Sequence, residues 1–120
     1  MLGADELVRG DLVTIAGGTG EFAGKPRPAI LLQTPRLFGG TVPIPVCPVT
    51  SVAVEAPLLR IPLPADTTTG LRVPSWAAID LLHSVRARRI GQHIGRLDAA
   101  TLLAIDRALV VFLGIAGGPA

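Results

Sequence analysis

The side chains most able to do chemistry in this chain gather in one stretch. Between positions 83 and 96 stand Arg86, Arg88, Arg89 and Arg96 with His83 and His93, and no Asp or Glu interrupts them. A guanidinium presents planar donors matched to phosphate oxygens and keeps its charge at any relevant pH, so clustered arginines suit an anionic partner, nucleic acid first. On this feature alone a solvated loop with incidental arginines reads equally well. Asp80 precedes His83 by three residues, and the two are placed to pair. The histidines lie ten residues apart with no Cys, Asp or Glu clustered beside them, which is not a metal-ligand pattern, so no metal site is expected. Cys47, the single cysteine, lies in the apolar run Val46-Cys47-Pro48-Val49. It cannot form an internal disulfide, no helix N-terminus activates it, and it is expected to pack as a small hydrophobe. No G-x-S-x-G is present to mark a serine hydrolase.

A glycine-rich loop invites two nucleotide-binding comparisons, and both fail. Gly18-Thr19-Gly20-Glu21-Phe22-Ala23 fits G-x-G-x-x-A after a predicted strand, but a dinucleotide site then needs a helix whose N-terminus faces the pyrophosphate. Pro26 and Pro28 fall within the first turns such a helix would need. Gly24-Lys25 resembles the end of a P-loop, yet Thr19 stands at the position of its first glycine and Pro26 replaces the metal-binding Ser/Thr. No cofactor is expected.

The elements that must hold these residues are short. Apolar runs bounded by Gly and Pro predict strands over 12–16, 28–34, 42–50, 58–63 and 76–82. The second is apolar on both faces and should be central, whereas Pro43 and Pro45 make the start of the third an unpaired edge. Only the C-terminus reads as a helix, with Asp98 as N-cap, Leu102, Ile105, Leu109 and Phe112 as its packing stripe, and Gly114 and Gly117 to stop it. Leu103, Val110, Val111 and Leu113 lie off that stripe, more apolar surface than one packing face requires. Short strands and one terminal helix predict a mainly β fold, a small β-barrel with a C-terminal α-helix.

Composition sets the outer limits. A chain of 120 residues has room for one domain. Gly (14) and Pro (11) account for 25 of the residues, which excludes long helices over most of the chain. The only aromatics are Phe22, Phe38, Trp76 and Phe112, too few for a base-stacking platform, so any nucleic acid would be held through phosphates. The longest stretch free of charge, 37–54, contains three prolines and a Gly-Gly pair and cannot span a membrane. Asp5, Glu6 and Arg9 occupy the place of a signal peptide's apolar core, and a cytoplasmic location is expected. Charged residues make up only 17%, which with the aliphatic surplus points to a homodimer.

Four segments together resemble the MazF/PemK family of toxins from type II toxin–antitoxin pairs. They are Arg9-Gly10-Asp11-Leu12-Val13, Lys25-Pro26-Arg27-Pro28-Ala29-Ile30, Val46-Cys47-Pro48-Val49-Thr50-Ser51 and Ile94-Gly95-Arg96-Leu97-Asp98. Each is weak alone, but their order and spacing cover about residues 8–116. The resemblance implies an SH3-like barrel over about 8–96 with a helix over about 98–115, in one domain spanning 1–120. It also implies a homodimeric, metal-independent endoribonuclease that cuts single-stranded RNA, often mRNA, and is silenced by a cognate antitoxin. The family's catalytic Arg falls on Arg27, its catalytic Thr on Thr50, and an acid used by plasmid-borne members on Asp80. Ser51, His83 and Arg86 are the supporting RNA-contact candidates, with Asp80 or His83 open as general base. The sequence departs from the family at Ala78, an Arg in those relatives, and in the loop 17–26, which lacks their acidic-polar pattern. A CcdB-like toxin that poisons DNA gyrase without catalysis is the alternative. Its Trp-Gly-Ile anchor is lacking, because Leu113 precedes Gly114-Ile115 and the single Trp is Trp76.

Overall fold

The computed structural model describes residues 6–17, 25–38 and 41–115. Within them β1 (Asp11–Ile15), β2 (Arg27–Leu31), β3 (Ile44–Thr50), β4 (Arg60–Leu63), β5 (Ser75–Ala78), β6 (His83–Val85) and β7 (Ile90–Arg96) precede one helix, α1 (Ala99–Phe112). The strands run antiparallel in the order β4-β5-β3-β2-β1-β7, with β6 also paired to β3. The sheet curls as a barrel-like layer without closing, since β4 and β7 remain its two ends. The glycine loop 18–24, the Gly39-Gly40 pair and Gly117 lie outside the described residues.

Alternation of side chains sorts the aliphatic residues onto two faces. Leu12, Ile30, Cys47, Ala77 and Ile79 point to one side, where Ile105 and Ala108 of α1 cover them. Val13, Ile15, Ala29, Leu31, Ile44, Val46 and Val85 form a second cluster on the other side. Thus β2, apolar on both faces, sits between β1 and β3 as its sequence predicts.

The third strand corrects an expectation. Its start is no unpaired edge, because Ile44, Pro45 and Val46 pair with Val85, Ser84 and His83 of β6. Pro45 is tolerated because its carbonyl, on the side of β2, still accepts the N–H of Leu32 at 2.9 Å just past the end of that strand. Pro48 lies where the neighbour of β3 changes from β6 to β5. The expected fifth strand over 76–82 breaks at a 3₁₀ turn, Ile79–Leu81, since the chain must pass from one partner stretch of β3 to the other.

The helix begins as its sequence predicts. The Asp98 carboxylate accepts the Thr101 N–H at 2.7 Å, and Gly114 follows the last turn with φ of 70°. Ala108 completes the packing face with Leu102, Ile105 and Leu109, whereas the expected Phe112 is 41% exposed. Leu103, Val110, Val111 and Leu113 are exposed as well. No helix among the described residues is long and apolar enough to cross a membrane.

The 66–70 turn is fastened to β7 by close backbone approach. Asp66 accepts the N–H groups of Thr68 and Thr69, each at 2.9 Å, and the Thr68 carbonyl accepts the Arg96 N–H at 2.8 Å. A Cβ at Gly95 would lie 2.1 Å from the Thr69 carbonyl oxygen, and one at Gly70, where φ is +73°, 1.9 Å from that of Ile94. Glycine is therefore required at both positions. Their contact aims the next residues, Leu71 to Val73, at the mouth of a cavity beside β2 and β3.

Candidate active-site groove

Arg27 and Thr50 are brought together by strand register. Ala29 pairs with Pro48, Ile30 with Cys47 and Leu31 with Val46. Extending that ladder to the start of β2 sets Arg27 across from Thr50, on the face of Ala29 and Pro48. Both line a cavity of about 290 Å³ with Ser51, Arg72 and Ser75. Arg27 is exposed and Thr50 half-buried at the rim. The Thr50 Oγ1 accepts the Val52 N–H at 3.1 Å, which fixes the hydroxyl and leaves its own proton for an acceptor in the cavity.

The cavity continues past Arg27. Arg27 and Pro28 also line a second hollow of about 210 Å³ with Ala16, Pro48, His83 and Arg89. Ala16 and Arg89 in turn border a third, of about 360 Å³, with Thr14, Pro26, Arg88 and Gln92. A groove thus runs from Arg72 through Thr50, Arg27 and His83 to Arg89 and Arg88, and no Asp or Glu among the described residues lines it. Arg89 is held in place by donating from Nη2 to the Ala16 carbonyl at 2.8 Å. His83 reaches the groove because it lies opposite Val46, which belongs to the cluster on that face. Its Nδ1 is 3.1 Å from the Leu81 carbonyl oxygen.

Not every candidate enters the groove. Asp80 lines none of these cavities, and its carboxylate is taken by Arg60 from the neighbouring strand β4. The expected Asp80–His83 pair is therefore replaced by Asp80–Arg60 and a His83 contact to Leu81. Ala78 is wholly buried directly across from Arg60, so the guanidinium beside Asp80 comes from the next strand. Ser51 lines the groove, whereas Arg86 is exposed just before the 3₁₀ turn Ala87–Arg89 and lines none of the three hollows. Arg96 is not a groove residue either, because its Nε donates at 2.7 Å to the fully buried Asp11, an acid supplied by β1. His93 Nε2 lies 3.5 Å from the same carboxylate. The local stretch 83–96 is free of acid in sequence, yet folding compensates part of it.

Arg72 is the groove residue that sequence reasoning missed. It stands alone among Leu71, Val73 and Pro74, and only the docking of the 66–70 turn onto β7 brings it there. Cys47 faces the helix side and is fully buried. Burial first, and then the Asp80 carboxylate, push its thiol up to about 12, which leaves it protonated and inert at neutral pH.

Comparison with known proteins gives one direction. The sequence profile of PemK-like, MazF-like toxins of type II toxin–antitoxin systems matches residues 8–113. A probable endoribonuclease MazF of Mycolicibacterium smegmatis is 41% identical over 109 residues, covering 91% of this chain and 98% of that protein. Endoribonuclease MazF9 of Mycobacterium tuberculosis is 32% identical over 114 residues, covering 89% and 96%. A solved MazE–MazF structure from Deinococcus radiodurans superposes with a TM-score of 0.73 at 28% identity, over 92% of this chain and 97% of its counterpart.

Proposed function

Because the chain belongs to the PemK-like, MazF-like toxin family of type II toxin–antitoxin systems, we propose that it is the toxin of such a pair, an endoribonuclease cutting single-stranded RNA, mRNA included. The observation that carries this reading is that Arg27 and Thr50 line one cavity of a groove bordered by arginines. RNA contains its own nucleophile. The 2′-OH attacks the adjacent phosphorus, a 2′-O–P bond forms, the P–O5′ bond breaks, and the products carry 2′,3′-cyclic phosphate and 5′-OH ends. The proposed step needs no metal, because the protein has only to stabilise charge and move protons.

Arg27 offers planar donors to the non-bridging oxygens of the phosphorane, and the oriented Thr50 hydroxyl offers one more. One well-aimed donor to a developing anion contributes about 3–4 kcal/mol to transition-state stabilisation. Ser51, Arg72, Arg88 and Arg89 hold the flanking phosphates in this reading. Asp80, engaged by Arg60, takes no part in the chemistry. A cognate antitoxin covers the same groove with carboxylates in place of phosphates. The exposed apolar end of α1, from Val110 to Ile115, with Leu58, which lines a hollow with Val111, is the proposed homodimer seam, and the toxin works in the cytoplasm on mRNA. Gyrase poisoning is not favoured, since the matched relatives are named endoribonucleases and Trp76 lies on β5 rather than after α1.

The test is incubation of the purified protein with single-stranded RNA in excess EDTA. The expected result is cutting with 5′-OH and 2′,3′-cyclic phosphate ends, abolished by a 2′-deoxy substitution at the cut and strongly slowed by Arg27→Ala. Intact RNA under all conditions, with DNA gyrase inhibited instead, overturns the assignment. A sedimentation mass near 12.4 kDa at micromolar concentration would refute the dimer.

A further inference from the structure

We propose that His83 is the general base of RNA cleavage, taking the proton of the attacking 2′-OH on its Nε2. The inference rests on the ribonuclease reading above and names the residue that reading leaves open. Its first support is tautomeric. A carbonyl oxygen can only accept, so the 3.1 Å contact to Leu81 requires the hydrogen on Nδ1. In neutral imidazole Nε2 then carries the lone pair, and the same contact fixes the ring plane, as an orienting partner does for a catalytic histidine.

The second support is place. His83 is exposed and lines the hollow that Arg27 and Pro28 share with the Thr50 cavity, so it faces the same space as the guanidinium assigned to the phosphorane. The charged groups lining that hollow among the described residues are Arg27 from β2 and Arg89 from the turn before β7. No Asp or Glu among the described residues lines it. β3, on which β6 lies, bears no charged residue, and Asp80, three residues upstream, is taken by Arg60. The other candidates fail on chemistry: a guanidinium does not release its protons near neutral pH, and a threonine hydroxyl has no usable titration.

The step balances. The 2′-O–H proton passes to Nε2, and the freed electron pair makes the 2′-O–P bond. The P–O5′ bond breaks with its pair on the 5′ oxygen, which takes a proton from water at the open side of the groove. The imidazolium afterwards returns its proton to solvent.

The experiment compares wild type, His83→Ala and His83→Lys on a long single-stranded phage RNA, then on an oligonucleotide spanning a mapped cut, as a function of pH. His83→Ala should keep its melting temperature and lower kcat by about 100-fold or more, the usual contribution of a positioned base, with KM within about twofold. The acid limb of its kcat/KM profile should vanish, added imidazole should restore part of the rate, and His83→Lys, which keeps a cation, should not recover it. A His83→Ala rate near wild type, a loss carried by KM alone, or an acid limb retained in the variant overturns the proposal. If wild type cuts RNA and Arg27→Ala is strongly slowed, those outcomes remove only His83; an inactive wild type removes the ribonuclease reading and this one together.

Discussion

On the helix side of the sheet, arginines are spent on carboxylates. Arg60 takes Asp80, and Arg9 grips Asp106 of α1 with two nitrogens while its Nε donates to the Leu32 carbonyl at 2.9 Å. On the opposite side, Arg27, Arg72, Arg88 and Arg89 border a groove that no acid among the described residues lines. One sheet therefore pairs arginines with carboxylates at some places, Arg96 with Asp11 among them, and at another lines an open cleft with arginines. A polyanion lying in the groove would meet this row of cations along its length.

The sharpest way to break this contrast is to remove one arginine from each side. Arg27→Ala should lower kcat by about 10²–10³-fold, roughly 3–4 kcal/mol of transition-state stabilisation, and leave the melting temperature nearly unchanged because the side chain is exposed. A variant that cuts RNA at the wild-type rate would show that the groove charge is incidental. Asp80→Asn should do the reverse. It strips the partner from Arg60, whose side chain is only 11% exposed, and should cost about 2–3 kcal/mol of stability, between the values for exposed and buried pairs. Cleavage below its melting temperature should persist. A folded Asp80→Asn that no longer cuts would place Asp80 in the chemistry after all and undo the distinction between the two sides.

How much of this division the sequence discloses depends on the range of the interaction. The helix with its Asp98 cap, the two-faced β2 and the aliphatic core are legible because they rest on local signals, namely period, capping and turn residues. The register that sets Arg27 across from Thr50 follows once β2 and β3 are neighbours, and family resemblance rather than periodicity supplied their roles. Arg60–Asp80 and Arg96–Asp11 were not legible, since each joins residues at least 20 positions apart through strand pairing that no local pattern announces. Arg72 was hidden for the same reason: only the fit of Gly70 and Gly95 backbones brings its loop to the groove. The prolines of β3 misled because an absent donor matters only if its direction is known, and Pro45 faces the end of β2, where the ladder stops.

Cys47 and Thr50, three residues apart on one strand, make a subtler comparison of dry and wet faces. The buried thiol has its pKa raised to about 12 by burial first and by Asp80 second. A folded value raised above the unfolded one means that the native state holds its proton longer. The associated stability is thus complete below the ordinary thiol value of about 8.5 and is lost as pH rises through the folded value. Unfolding free energy from urea titrations should therefore fall between about pH 9 and pH 12, and Cys47→Val should flatten that slope. Native protein at neutral pH should resist iodoacetamide, and rapid alkylation without unfolding would contradict a dry helix side.

The smallest effect concerns the cap that seats the helix on that dry side. The Asp98 carboxylate is held below the usual carboxylate range mainly by the Thr101 N–H it accepts at 2.7 Å. Because the folded value is depressed, its stabilisation is present above the unfolded value of about 4 and disappears as pH falls through the folded one. Asp98→Asn retains an oxygen acceptor and should melt with little pH dependence from this site, whereas Asp98→Ala should melt slightly lower at neutral pH and converge with wild type in acid. Both should cut RNA like wild type, since neither Asp98 nor Thr101 lines the groove. If Asp98→Ala instead lost cleavage while still folded, the helix would be coupled to the groove, and the separation of the packed helix side from the reactive groove would no longer hold.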